Sequence, residues 1–151
     1  MELKQSLFIM ISGSFIIQFF IMSTLMTNKL LNIRSSVGKF YISVIMALLM
    51  GFLELFMYDY HMGSISIFYY LFFGLVLVVF VYLYRNQVYI YDKDYLNEMI
   101  EHHSMALLTS EEILQKTTSE RVKRLAENIV STQKAEIEYM EKLIKLDPSV
   151  L

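Results

Sequence analysis

The sequence predicts an all-α protein with three transmembrane helices followed by a long antiparallel helical hairpin. Three observations carry this. Three apolar runs of spanning length fill the chain up to Tyr84, ionisable residues crowd into the part after Arg85, and that part repeats its apolar residues at helical spacing. Residues 1–86 therefore read as a three-span membrane domain, and residues 87–151 as a helical hairpin domain with a Met-x-x-His-His motif.

Composition narrows the function classes. Of 151 residues, 56% are hydrophobic, above the ~45–50% typical of soluble domains. The net charge is −2 and no basic cluster occurs, which argues against a nucleic-acid partner. There is no cysteine, so disulfides, thiolate metal sites and Cys-x-x-Cys redox chemistry are excluded. Methionine occurs eleven times. It serves as an adaptable filler of membrane helices and cores, and its thioether is also a soft ligand that selects Cu(I).

Ser6 to Met26 is the first span, with Gln18 its most polar member. At ~1.5 Å rise per residue, about 20 residues cross the hydrocarbon core. No small-x-small cleavage site follows, so a secretory signal peptide fits less well. Thr27 to Lys39 is a polar loop, Phe40 to Tyr58 the second span, Asp59 to Ser64 a turn and Ile65 to Tyr84 the third span. Tyr41, Tyr58, Tyr60, Tyr82 and Tyr84 flank the spans, where amphipathic rings favour the headgroup level. With three spans, the first loop and the tail share one side. Lys29, Arg34, Lys39, Arg85 and Lys93 lie there against Lys4 on the other, and this bias places the tail in the cytoplasm.

Met46, Met50, Glu54, Met57 and His61 follow one another at steps of three and four, on one face of the second span. Ser14, Gln18, Met22 and Met26 share a face of the first. An ionisable residue within a span usually faces the bundle interior and marks function, so the Glu54 face is a candidate relay for a metal or protons. The plainer alternative is that Glu54 reaches interfacial water or pairs with Gln18.

From Asp92 the pattern is amphipathic, with Leu96, Met99/Ile100, His103, Ala106/Leu107, Ser110 and Ile113/Leu114 at helical spacing and Asp92 or Asp94 as the cap. Thr117-Thr118-Ser119 breaks it, and Ser119 is an N-cap for a helix from Glu120 to Leu146 that stops before Asp147-Pro148. The inner face of that helix reads Val122, Leu125/Ala126, Ile129, Gln133, Glu136, Met140 and Leu143/Ile144. Two helices bury little surface. The hairpin is therefore expected to form a homodimer, giving a four-helix bundle, or to lean on the membrane domain.

The chemistry-bearing residues gather on the first hairpin helix. Met99 lies one turn before His102 and His103, and Met105 three residues after His102. The facing helix offers Gln133, Glu136 and Met140. Two imidazoles with thioethers suit copper. A di-iron centre would need Glu-x-x-His pairs, whereas Met99 and Ile100 stand three before the two histidines. A closed zinc site wants four His, Cys or carboxylate ligands. Against any metal stands the angle of ~100° between adjacent side chains on a helix: one histidine can be a core residue bonded to Glu136 and the other a solvated one. No catalytic triad or phosphate-binding loop is present, so a non-enzymatic role is expected.

Tyr95 through Glu111 (YLNEMIEHHSMALLTSE), then Arg121 through Ile144 with Leu125-Ala126, Gln133, Glu136-Ile137 and Met140, resembles domain-of-unknown-function family 305. Its signature is Met-x-x-His-His with a later Gln-x-x-Glu-Ile-x-x-Met, and Met46-Ala47-Leu48-Leu49-Met50-Gly51 is similar to its membrane-anchored branch. The resemblance implies a ferritin-like helical fold, of which this hairpin is half a bundle, and an association with copper in bacteria, in the cell or inner membrane. It implies Met99, His102, His103 and Met140 as ligands, with Gln133 and Glu136 as motif positions. Relatives usually carry proline before the His pair, where this chain has Glu101. Soluble relatives are generally exported, which points to the side opposite the one the charge bias gives. The leading expectation is an integral membrane protein whose tail binds copper, as Cu(I), through Met99, His102, His103, Met105 and Met140, for tolerance, storage or handover. A membrane-anchored dimerisation module without metal is the alternative, and a ferritin-like oxidase a weaker third.

Overall fold

The computed structural model describes residues 2–146. The fold is all-α, with five helices: α1 Leu3–Met26, α2 Val37–Met62, α3 Ile67–Arg85, α4 Asp92–Leu114 and α5 Glu120–Leu146. The first three are long and apolar enough to cross a membrane. The expected stop at Asp147-Pro148 lies outside the described residues. Two compact units result. One takes in the chain up to Met22 with Val37–Tyr89, and the other joins Ser23–Ser36 to the segment from Ile90 onward. The division at residues 86 and 87 is thus refined in one respect, because the first loop folds with the hairpin and not with the spans.

In the first unit, α1 and α3 both pack on α2, around Leu7, Leu48, Leu55 and Phe73, with Ile11 and Val44 at the edge. The buried positions of α2 include Tyr41, Ala47, Leu48, Gly51, Leu55 and Asp59. Small residues there let backbones approach closely. A Cβ added at Gly51 would stand 3.0 Å from Ile11 Cγ1. α1 takes a π-turn at Ile17–Ile21, which contains Gln18. Helix α2 runs past the expected end at Tyr58 because Asp59 is not a loop residue. It is buried, its carboxylate accepts from Ser66 N–H and Ser66 Oγ at 2.8 Å each, and it thereby ties the last turn of α2 to the start of α3. The reversal falls instead at Gly63, whose φ of +64° suits glycine.

In the second unit, α4 and α5 form the antiparallel hairpin. Leu96, Ile100 and Leu107 meet Ile137 and Met140, with Met99, Val130, Leu143 and Ile144 packed around them. α4 begins with Tyr91 at its N-cap position and no side-chain cap; Asp92 and Asp94 occupy the first turn, where negative charge favours the helix dipole. In the connecting turn Ser119 N–H donates to Thr117 Oγ1 at 3.2 Å. The inner face of α5 agrees with the sequence reading at Ala126, Met140, Leu143 and Ile144 and differs elsewhere. Ala126, Ile137 and Met140 are buried, while Val122, Leu125 and Glu136 are exposed. Apolar residues on α5 cover more than one stripe, so periodicity alone widened the inner face to take in Val122 and Leu125.

The close approach at Gly51 is testable. Gly51→Leu should lower stability in detergent by ~1–3 kcal/mol through overpacking, and Ile11→Ala in the same chain should recover part of it. Thermal unfolding of the single and double variants reads the difference.

Candidate functional site

The site is built on the middle of α4, and the segment Ser23–Ser36 holds it. Ser104 is fully buried, on the same stripe as Ile100 and Leu107. A buried hydroxyl needs partners. Ser104 Oγ donates to Asn28 Oδ1 at 2.6 Å and accepts from Asn28 N–H at 3.1 Å and Asn32 Nδ2 at 3.3 Å. One turn earlier, Glu101 accepts from Ser23 Oγ on one oxygen and from Arg34 N–H at 2.9 Å on the other. The Arg34 guanidinium reaches Glu141 on α5 at 3.1 Å. Glu101 and Ser104 are the immediate neighbours of the His pair, so the loop fixes the turn of α4 that presents both imidazoles.

The two histidines point differently. The His103 side chain is 15% exposed and its Nδ1 lies 3.2 Å from Glu136 Oε2, without a hydrogen bond between them. His102 is exposed, and the ring centroids are 6.5 Å apart at 60°. Burial pushes the His103 imidazole below the usual histidine range; the Glu136 carboxylate opposes this and His102 adds to it. Burial thus favours the neutral form of His103, the form that keeps a free lone pair.

Met99 packs on the cluster that contains Met140, so these two thioethers belong to the hairpin core. Met105 and Gln133 are half-buried. Among the described residues no group of three or more His, Asp or Glu side chains gathers as a metal site. A site here therefore has to draw on Met99 or Met140, or on more than one chain.

The face read on the second span does not converge on an interior centre. Met46, Met57 and His61 are exposed, and Met50 is half-buried. His61 Nδ1 donates to its own helix at Met57 O, 2.7 Å away. Glu54 alone is turned toward α1, where Ser6 Oγ donates to it, and not toward Gln18. Helical spacing puts these residues on one face but does not say which face is inward; the interior of α2 is the Leu48/Gly51/Leu55/Asp59 side.

Sequence reasoning missed the loop residues Ser23, Asn28, Asn32 and Arg34 and their partners Glu101 and Ser104. A signal existed. A serine at core spacing between Ile100 and Leu107 requires a polar partner, and two asparagines four apart in the loop could supply it.

The family profile described as "Domain of unknown function (DUF305)" matches residues 83–144. An uncharacterized protein of Acanthamoeba polyphaga mimivirus is 32% identical over 142 residues, covering 90% of this chain and 89% of that protein. The likeness therefore extends through the apolar helices and the loop as well as the hairpin. No solved structure matches.

Two outcomes check this geometry. Ser104→Val leaves Asn28 and Asn32 without their buried partner, at a cost of ~1–3 kcal/mol. Amide exchange across residues 28–32 should accelerate about tenfold or more, with the α4–α5 core less affected. The second concerns pH. Because burial lowers the His103 pKa, the unfolded chain protonates first. Stability is full above the unfolded value of ~6.5 and falls as pH drops below it, until folded His103 protonates too. Denaturant midpoints measured across this range should lose that slope in His103→Gln.

Proposed function

Because the chain belongs to domain-of-unknown-function family 305, we propose that it is an integral membrane protein whose hairpin binds copper, as Cu(I), in tolerance, storage or handover. The observation that carries this reading is the His103–Glu136 pair at 3.2 Å beside a core containing Met99 and Met140. The donor set fits the metal. Cu(I) takes imidazole and thioether, His103 is held neutral by burial, and a carboxylate at Nδ1 orients an imidazole whose Nε2 coordinates. Met99, four residues before His103, shares its face. Met140 approaches from α5, and exposed His102 with Met105 would serve as the entry ligands. Gln133 and Glu136 act by position, and Glu136, 3.2 Å from His103 Nδ1, would orient that ring once a metal is held.

The residues do the holding and the metal supplies only its affinity for soft donors. No carboxylate-rich centre of the di-iron kind supports an oxidase reading among the described residues. The hairpin lies on the side of the membrane to which α1 delivers the loop Ser23–Ser36, and the Lys/Arg bias favours the cytoplasmic face.

The test is a Cu(I) titration of the full-length protein in detergent against a competing chelator. Met99→Leu/His103→Ala should abolish tight binding while helicity is unchanged, and Glu136→Gln should weaken it by ~10–100-fold. Unchanged affinity in the double variant would refute the assignment.

A further inference from the structure

An apolar stripe of α5 is exposed at Val122, Leu125, Tyr139 and Leu146 and half-buried at Ile129 and Leu143, and its pattern is self-complementary. Val122, Leu125 and Ile129 form an apolar block at steps of three and four; Thr132 and Glu136 follow as a polar middle. Tyr139, Leu143 and Leu146 continue the same steps as a second apolar block. Leu125 is 60%, Tyr139 63% and Leu146 79% exposed. Alternating steps of three and four over this length form the seam of a coiled coil. The stripe borders the one buried against α4, which Leu143 also touches, and its exposed members need a different partner.

We propose that this stripe is the surface on which two copies of the chain pair, with their α5 helices antiparallel about a two-fold axis. An isologous interface requires a patch that is complementary to itself; a parallel pair would set Glu136 against the partner's Glu136, whereas the antiparallel sense about residue 134 sets each carboxylate against a hydroxyl. In this register Val122 meets the partner's Leu146, Leu125 the partner's Leu143, and Ile129 the partner's Tyr139. At the centre Thr132 meets the partner's Glu136, so a hydroxyl faces each carboxylate. A polar pair at one level of an apolar seam fixes register. Ala135 edges the seam next to the axis, where its small side chain allows close approach. Arg121, at the start of one helix, lies beside the C-terminal carbonyls of the other, where positive charge is favoured. The pairing does not depend on copper, although it brings the Glu136 of both chains toward the axis.

The chain has no cysteine, which makes disulfide trapping in the full-length protein in detergent direct. Ala135→Cys should form a dimer under mild oxidation, while Glu127→Cys, off the stripe, should not. Val122→Cys should fail to link to itself but should link to Leu146→Cys when the two variants are mixed. Leu125→Glu/Tyr139→Glu should cut the Ala135→Cys dimer at least tenfold with helicity retained. Three results would overturn the proposal: no link at Ala135→Cys, self-linking of Val122→Cys (a parallel pair), or a monomer whose Leu125→Cys thiol is shielded only when lipid vesicles are added, which would make the bilayer surface the occupant.

Discussion

A serine hydroxyl at zero exposure inside a helical hairpin is costly unless partners come with it, and for Ser104 they come from the segment between the first two apolar helices. Glu101 repeats the arrangement one turn earlier through Ser23 and Arg34. Much else follows from these contacts. The loop and the hairpin must meet, and the two helices of spanning length between them would bring both to the same side of a bilayer. The loop must also be long enough to cross α4 and return, which Ser23–Ser36 is. A proline, which the family resemblance leads one to expect at the position of Glu101, would bend the helix and accept nothing through its side chain. Here α4 runs unbroken through the His pair, and the carboxylate anchors the loop in its place.

This anchoring explains why adjacent histidines fare differently. With Ser104 and Ile100 facing inward, His103 falls at the edge of the core beside Glu136, and His102 falls on the solvent side. The buried ring is held neutral and the exposed one is free to exchange ligands. Two imidazoles side by side in sequence therefore stand at different depths, their ring centroids 6.5 Å apart, with Met99 and Met140 in the core behind His103.

The helices were legible in the sequence because hydrophobic length and helical period are local properties. So was the inward stripe of α4, where apolar residues occupy a single face. On α5 they occupy two, and period alone could not choose between them. The Glu54 face failed for the same reason: Met46, Met57 and His61 share a side, but the packed side of α2 carries Gly51 and Leu55. The His103–Glu136 pairing was legible because an imidazole and a carboxylate on facing apolar stripes have few other partners. The loop contacts were not read. They join residues some seventy positions apart, and no local pattern encodes such pairs beyond the oddity of Ser104 on a core stripe. Asp59 was misread as a turn residue because charge near a span end ordinarily marks the interface, whereas here it caps the next helix through Ser66.

The central claim is that this hairpin offers copper both nitrogen and sulfur. X-ray absorption at the copper edge of the Cu(I)-loaded full-length protein tests it most directly. The account predicts sulfur together with imidazole nitrogen in the first coordination shell, with the sulfur contribution lost in Met99→Leu/Met140→Leu. A shell of nitrogen and oxygen alone, unchanged in that variant, would contradict it.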